Sequence, residues 1–224
     1  MAKPVLGHWK FRGLAQPARL MLHYVGEEYE EKLYEAPDPK STNGPDYSQD
    51  SWFREKNMLG LDFPSLPYYI DGEIKITQGN ALYRYIARKH NLRGTTEQER
   101  VLVDVLADQV MDMRNAMIRV VYNPAYAQLS RNYEQQVSER LRAFERFLGK
   151  KTWLVGEQIT FPDFHFYELL DQHRTMFPII LDRFPILKSY CDRFEDLPPI
   201  KAYMKSDSFM KTPINNKTAY FGAK

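Results

Sequence analysis

The chain of 224 residues contains a single cysteine, Cys191. One thiol cannot close an internal disulfide, which excludes a disulfide-stapled scaffold and fits a reducing compartment. Long apolar runs are also missing. Nothing reaches the roughly 20 uncharged residues that span a bilayer, and the opening MAKPVLGHWK has no signal-peptide core. These absences predict a soluble, cytoplasmic chain with no membrane partner. Neither sign of charge dominates, with 31 Lys and Arg against 29 Asp and Glu, a net +2. Long-range attraction to phosphate polymers is therefore absent, and no nucleic-acid-binding motif appears, so nucleic acid is not an expected partner. His23, His90, His165 and His173 lack metal-ligand spacing with one another or with Cys191, and no metal is expected.

What is present is a change of pattern near the middle. Residues 5–9 (VLGHW) read as a strand that runs into a helix carrying Leu14, Ala18, Met21, Leu22 and Val25, with Pro17 near its start and Gly26 at its end. Residues 29–34 read as a second strand, which makes the opening a β-α-β unit. The Pro-, Ser- and Asp-rich run APDPKSTNGPDYSQDS follows; a loop of that length inside a compact domain is usually functional. Two β-rich runs, 68–70 and 73–77, then flank Asp71-Gly72 as a hairpin. Gln78-Gly79-Asn80 opens a helix with Ala81, Leu82, Tyr85 and Ile86 on one face.

Beyond HNLRGT at 90–95 the periodicity is helical throughout. Thr96 with Glu99 spells a capping box ahead of Leu102, Val105, Leu106, Met113, Met117 and Val121. Val137, Leu141, Phe144 and Leu148 mark another helix that ends at Gly149. Thr160 with Asp163 is a second capping box, with Ile159 and Phe164 spaced as a hydrophobic staple. Cys191, among Leu187, Tyr190 and Phe194, reads as a buried structural thiol. The pattern predicts an α/β domain over 1–89 followed by an all-α domain over 96–224.

Three features of the first domain point to chemistry, and each also has a bland reading. Pro67 directly precedes a strand; a cis bond there leaves the backbone of Leu66 open to pair with an extended peptide, whereas a trans turn has no such meaning. Gln78-Gly79 at a helix start offers free N–H groups to a carboxylate, though most helix starts meet only water. Trp52 and Lys56, four residues apart, can present an indole N–H and an ammonium together, or stand as a plain surface pair.

In order along the chain these pieces resemble the cytosolic glutathione S-transferases, most closely the mu class. The carriers are LGHWKFRGLAQPARL at 6–20, WFREKNMLGLDFPSLPYYIDG at 52–72, ITQGNALYRYIARKHNL at 76–92, Asp112, Tyr122-Asn123-Pro124, TFPDF and RFEDLPPIKAYMKS at 193–206. The likeness implies a thioredoxin-like N-terminal domain, a helical C-terminal domain that shapes the second-substrate pocket, and a homodimer. It implies glutathione as co-substrate or ligand and a hydrophobic electrophile as partner. By motif, Trp9, Trp52, Lys56, Leu66, Pro67 and Gln78 match glutathione contacts, and Gly79 stands where a serine holds the γ-glutamyl carboxylate. Asp112 matches a residue that reaches the peptide from the other subunit. Phe63 matches an aromatic key that enters a pocket of that subunit, and Tyr122 a hydroxyl facing the electrophile.

The match breaks at the catalytic position. Where the family carries a tyrosine in LG-x-W, this chain has His8. A phenol donates to the glutathione sulfur and lowers its pKa; an imidazole also has a donor, but on a shorter side chain. Ser65 replaces an asparagine, and Gln49 stands in place of an arginine. The expected activity is conjugation of glutathione to electrophiles, weakened or altered by these changes, with His8 and Tyr122 as the catalytic pair. The alternatives are a non-catalytic binding or structural protein on the same fold, or a glutathione-dependent isomerase using the same site.

Overall fold

A computed structural model describes residues 2–36 and 51–224. Its first half is built on strand β1 (Val5–Trp9), helix α1 (Gln16–Val25), strand β2 (Glu30–Tyr34), the short helix α2 (Ser51–Glu55), strands β3 (Tyr68–Asp71) and β4 (Ile74–Thr77), and helix α3 (Gly79–Lys89). The strand order is β2-β1-β3-β4. β1 runs parallel to β2 and antiparallel to β3, which is the mixed sheet that a β-α-β unit plus a hairpin must form. Gly7 of β1 lies opposite Tyr68, and a β-carbon there would fall 2.1 Å from the Tyr68 ring. That position therefore excludes any side chain.

The second half is helical: α4 (Glu97–Val121), α5 (Tyr126–Leu148), α6 (Phe161–Met176), α7 (Pro185–Glu195) and α8 (Pro198–Met204). Both halves of the Thr96–Glu99 capping box form, with Glu99 N–H donating to Thr96 Oγ1 at 3.2 Å and Thr96 N–H to Glu99 Oε2 at 3.0 Å. At the head of α6, Thr160 gives its N–H and hydroxyl to Asp163 at 2.8 and 2.9 Å, and Ile159 and Phe164 are both buried. α1 stops at Gly26, whose φ of 70° is the left-handed cap that glycine adopts without penalty. Cys191 is fully buried on α7. Among the described residues no helix is long and apolar enough to cross a membrane, and no group of His, Cys, Asp or Glu is placed to hold a metal.

Two helix faces differ from the sequence expectation. On α3 the buried residues are Leu82, Tyr83, Ile86 and Ala87, while Ala81 is exposed. On α4 the buried stripe is Val103, Leu106, Ala107, Val110, Met113, Met117 and Val121, while Val105 is 54% exposed. Hydrophobicity alone does not say which apolar residues of a crowded helix face the core.

One apolar core joins the two halves, running from Leu6 and Leu20 through Val110 and Phe164 to Phe194. A buried ion cluster crosses it. Arg12 donates to Glu168 through Nε at 3.0 Å and Nη2 at 2.6 Å, and Nη2 also reaches Asp171 at 2.5 Å. Deleting one partner of such a pair costs about 3–5 kcal/mol, because the other charge stays buried alone.

Candidate functional site

The end of β1 delivers His8 and Trp9 to a junction where the chain turns into α1. Trp9 is half-buried and packs edge-on against Tyr34, with ring centres 6.5 Å apart. Tyr34, Trp52, Leu61 and Tyr68 form a small aromatic cluster below it, and Leu66 packs against the same cluster. Trp52 stacks on Tyr68 at 6.0 Å. Lys56, one helical turn later, lies 4.6 Å over the Phe53 ring and is half-buried. The Leu66–Pro67 bond is cis, as the sequence reading expects. Ser65 is half-buried just before it.

Gln78 follows β4 directly, next to Thr77, which pairs with Tyr68 of β3. Its φ of 72° and ψ of 120° are a conformation that residues other than glycine rarely adopt, at a cost of about 1–3 kcal/mol. No side chain caps the N-terminus of α3, and Gln78 is exposed while Gly79 is buried. A β-carbon on Gly79 would approach the Tyr83 hydroxyl to 3.3 Å, a tight contact, and Leu14 to 3.6 Å, an ordinary one. A side chain at Gly79 would thus require the Tyr83 hydroxyl, which donates to the Leu14 carbonyl oxygen, to give by a few tenths of an ångström.

His8 is buried, with its ring edge-on to Phe11 at 5.0 Å. Gly13, at φ 44°, makes room for the ring: a β-carbon there would lie 2.7 Å from His8 Cε1. His8 Nδ1 stands 3.0 Å from the carbonyl oxygen of Trp9. A carbonyl only accepts, so the proton sits on Nδ1 and Nε2 carries a lone pair. Burial first, and the Arg19 cation second, push the imidazole pKa down to about 3 against the pull of the backbone carbonyls. The ring is neutral at every physiological pH, and its one N–H is already used.

Tyr122, at the end of α4, is in the opposite condition. Its hydroxyl oxygen accepts the N–H of Asn216 at 2.9 Å. Burial raises its pKa, so the phenol keeps a proton that this bond does not consume. Asn216 belongs to a C-terminal segment laid across the β1–α1 turn: Pro213 and Ile214 accept from the N–H groups of Arg12 and Gly13 at 2.9 and 3.2 Å. Between this segment and the turn opens a cavity of about 220 Å³, walled by Phe11, Ala36 and Pro213 and rimmed by Lys10, Asn216 and Lys217.

Trp9, Trp52 and Leu66 meet at the Tyr34–Tyr68 cluster, His8 packs on Phe11 at the end of β1, Pro67 precedes β3, Gln78 and Gly79 stand at the head of α3, and Tyr122 is tied to the C-terminal segment through Asn216. Two expected residues stand apart. Asp112 is exposed on α4 and forms no ion pair among the described residues, and Phe63 is 78% exposed. Gln49 lies outside the described residues. Sequence reasoning passed over Arg114, whose cation adds to the effect of burial in lowering the pKa of His165 and, more weakly, of His8. Its spacing was a signal: Arg114 falls four residues after Val110 and three before Met117, within the buried stripe of α4.

A mixed four-stranded sheet with a cis-proline ahead of β3, backed by a helical half, is a two-domain arrangement with a thioredoxin-like first part. Comparison makes this specific. The N-terminal domain model of glutathione S-transferase matches residues 4–88, and the C-terminal domain model matches residues 111–207. Glutathione S-transferase Mu 4 of Mus musculus is 50% identical over 219 residues, covering 98% of each chain. Glutathione S-transferase Mu 1 of Bos taurus is 48% identical over 98% of this chain and 99% of its own. Among solved structures, the glutathione S-transferase Blo t 8 superposes with a TM-score of 0.86 at 31% identity over 97% of this chain and 99% of its own. The Pi-class enzyme of Onchocerca volvulus gives 0.83 at 27% identity, with the same coverage. The chain belongs to the glutathione S-transferase family.

Proposed function

We propose that the protein conjugates glutathione to hydrophobic electrophiles, with sulfur activation weaker than a tyrosine in the place of His8 would supply. The α/β half, residues 1–89, binds the peptide, and the helical half, residues 96–224, walls the electrophile. The observation that carries this reading is Gln78. A strained, exposed glutamine at the uncapped head of an 11-residue helix is retained where a ligand repays the strain. A carboxylate of glutathione docks there, with Lys56 supplying a cation for the peptide and the Leu66 backbone pairing with its cysteinyl part. Trp9 and Trp52 wall the peptide. The electrophile lodges in the cavity beside Phe11 and Pro213, and the proton of Tyr122 steadies charge that develops on it.

Titration calorimetry checks this directly. Glutathione binds saturably to the wild-type chain, and Gln78→Ala weakens binding about tenfold, the worth of a hydrogen bond to a charged group. Conjugation of glutathione to an aryl halide proceeds slowly but measurably above the uncatalysed rate. Saturable binding without conjugation in any variant would move the reading to the non-catalytic binding protein; no binding at all would end it.

We further propose a homodimer in which Phe63 of each copy enters the other. A cleft of about 260 Å³ between α4 and α5, lined by Leu102, Val105, Gln109, Phe144 and Phe147, offers an apolar seat. Val101 and Val105 extend it as an exposed apolar strip on α4. Asp112 of the partner copy, exposed on the same helix, would then reach the bound peptide. Burying one phenylalanine contributes about 1.5–3 kcal/mol, and a two-fold interface counts it twice. Phe63→Ser is expected to raise the dimer dissociation constant about a hundredfold or more in sedimentation equilibrium. A wild-type monomer at micromolar concentration would overturn the arrangement.

A further inference from the structure

The sheet face below Trp9 carries a hydroxyl pair that the proposed chemistry leaves unused. Tyr34 ends β2 and Tyr68 opens β3, and β1 lies between the two strands. Two strand spacings of about 4.8 Å each separate them, too far for a backbone hydrogen bond. Their side chains make the connection instead. The Tyr34 and Tyr68 hydroxyls stand 2.9 Å apart, and both residues are buried. Gly7 opens the crossing: it pairs with Tyr68 in the ladder, and a β-carbon there would fall 2.1 Å from Cε1 and Cζ of the Tyr68 ring.

The residues resting on this pair are those assigned to the wall of the peptide cleft. Tyr34 meets Trp9 edge-on at 6.5 Å and Trp52 edge-on at 5.4 Å, and Tyr68 stacks on Trp52 at 6.0 Å. Tyr68 directly follows Pro67, and Leu66 packs against the same cluster. Trp9, Trp52 and Leu66 thus come from three separate pieces of chain. The sheet ladder fixes the first of these, but α2, which carries Trp52, is a helix of five residues. A helix so short does not hold itself in water, so the Trp52 ring is placed by packing. Packing alone does not call for the hydroxyls: two phenylalanines would fill nearly the same volume with no polar group to satisfy. A directional bond between the rings adds a fixed orientation.

We propose that Tyr34 and Tyr68 are positioning residues for glutathione: their bond across β1 sets the ring planes that hold Trp9, Trp52 and Leu66 in register with the peptide. The inference rests on the reading of this cleft as a glutathione site. Both tyrosines are buried and act through the residues that line the cleft. A wall already in place lowers the cost of ordering it on binding, so the bond contributes to affinity. Sulfur activation is separate from it, because His8 alternates to the other face of β1 from Gly7 and Trp9.

The test measures glutathione affinity by titration calorimetry, kcat with an aryl halide at saturating glutathione, and the urea midpoint. It uses the full chain as wild type, Tyr34→Phe, Tyr68→Phe and the double variant. Each single variant is expected to weaken glutathione binding about fivefold and to keep kcat within about twofold. Each also lowers the urea midpoint, since one buried hydroxyl loses its partner. The double variant separates position from stability. Both hydroxyls are then gone, and Glu55, which also reaches Tyr34, keeps its ion pair with Lys32 at 3.3 Å. The midpoint therefore returns toward that of the wild type, while binding stays about fivefold weak. Tyr85→Phe, which removes a hydroxyl bonded to Asp71 at 2.9 Å outside the cluster, leaves the affinity unchanged. Affinity that recovers together with the midpoint would make the pair purely structural and overturn the proposal. Wild-type affinity in the single variants, or equal weakening by Tyr85→Phe, would do the same. A wild-type chain that binds no glutathione ends the reading of the cleft itself, and this proposal with it.

Discussion

Replacing His8 by tyrosine is expected to increase conjugation by roughly tenfold near neutral pH. His8 spends its only N–H on the Trp9 carbonyl, and burial with Arg19 keeps the ring neutral down to about pH 3. What it can show a sulfur is a lone pair, which favours the thiol over the thiolate. A phenol at that position would present an O–H instead. Lowering the bound thiol's pKa by one unit is worth about 1.4 kcal/mol and about a tenfold gain in thiolate. The contrasting variant is His8→Phe. Because the native imidazole gives the sulfur no proton, His8→Phe changes kcat/KM by less than about threefold and leaves the affinity for glutathione nearly unchanged. Thiolate absorbance of bound glutathione, followed against pH for the three proteins, decides the matter. The wild-type rate shows no imidazole inflection between pH 5 and 8. An inflection there, or loss of thiolate and rate in His8→Phe, would make the imidazole itself the working donor.

Acid destabilises this protein well before its carboxylates protonate. His8, His165 and His173 are all buried, and burial is the largest cause that lowers each of them, to about 3, 3 and 4. Arg19 adds to the effect on His8 and Arg114 to that on His165, while the Leu169 carbonyl partly opposes it on His173. In the unfolded chain these rings take protons near pH 6.5, so the unfolded state binds more protons than the folded state below that value. Stability is therefore complete above pH 6.5 and falls as pH drops toward 3–4. One unit below 6.5, each ring removes about 1.4 kcal/mol, and the three together about 4 kcal/mol. That is a large part of the roughly 5–15 kcal/mol that holds a domain folded. Urea unfolding at pH 7.5 and 5.5 is expected to show the loss, and His165→Asn to flatten it by about a third. Equal midpoints at the two pH values would contradict it.

Much of this was legible in the chain itself. Helix ends were readable because a cap is made by residues three or four apart: Thr96 with Glu99, Thr160 with Asp163, and Gly26 at the end of α1. The hairpin around Asp71-Gly72 was legible for the same reason. The buried faces of α3 and α4 were not, since both helices carry apolar residues on more than one side. Which side packs inward depends on elements far away in sequence. Val105, spaced as a core residue, instead lies exposed on the face that we assign to a second copy.

The site divides along the same line. Residue types at short spacing, from LGHW to QGN, were enough to carry a resemblance to the family to which the chain belongs, and with it the proposal of a thiol-peptide cleft at His8. What His8 can do was decided by contacts the sequence does not order: a backbone carbonyl that accepts its N–H, Gly13 giving it space, and burial, helped by Arg19 and less by Arg114, keeping it neutral. Tyr122 likewise has a free proton only because Asn216, 94 residues later, supplies the N–H its oxygen accepts. Local sequence determines caps, turns and the kinds of side chain at a junction, since those interactions act within a few residues. Proton positions and charge states depend on burial and on distant partners, and these exist only once the tertiary structure has formed.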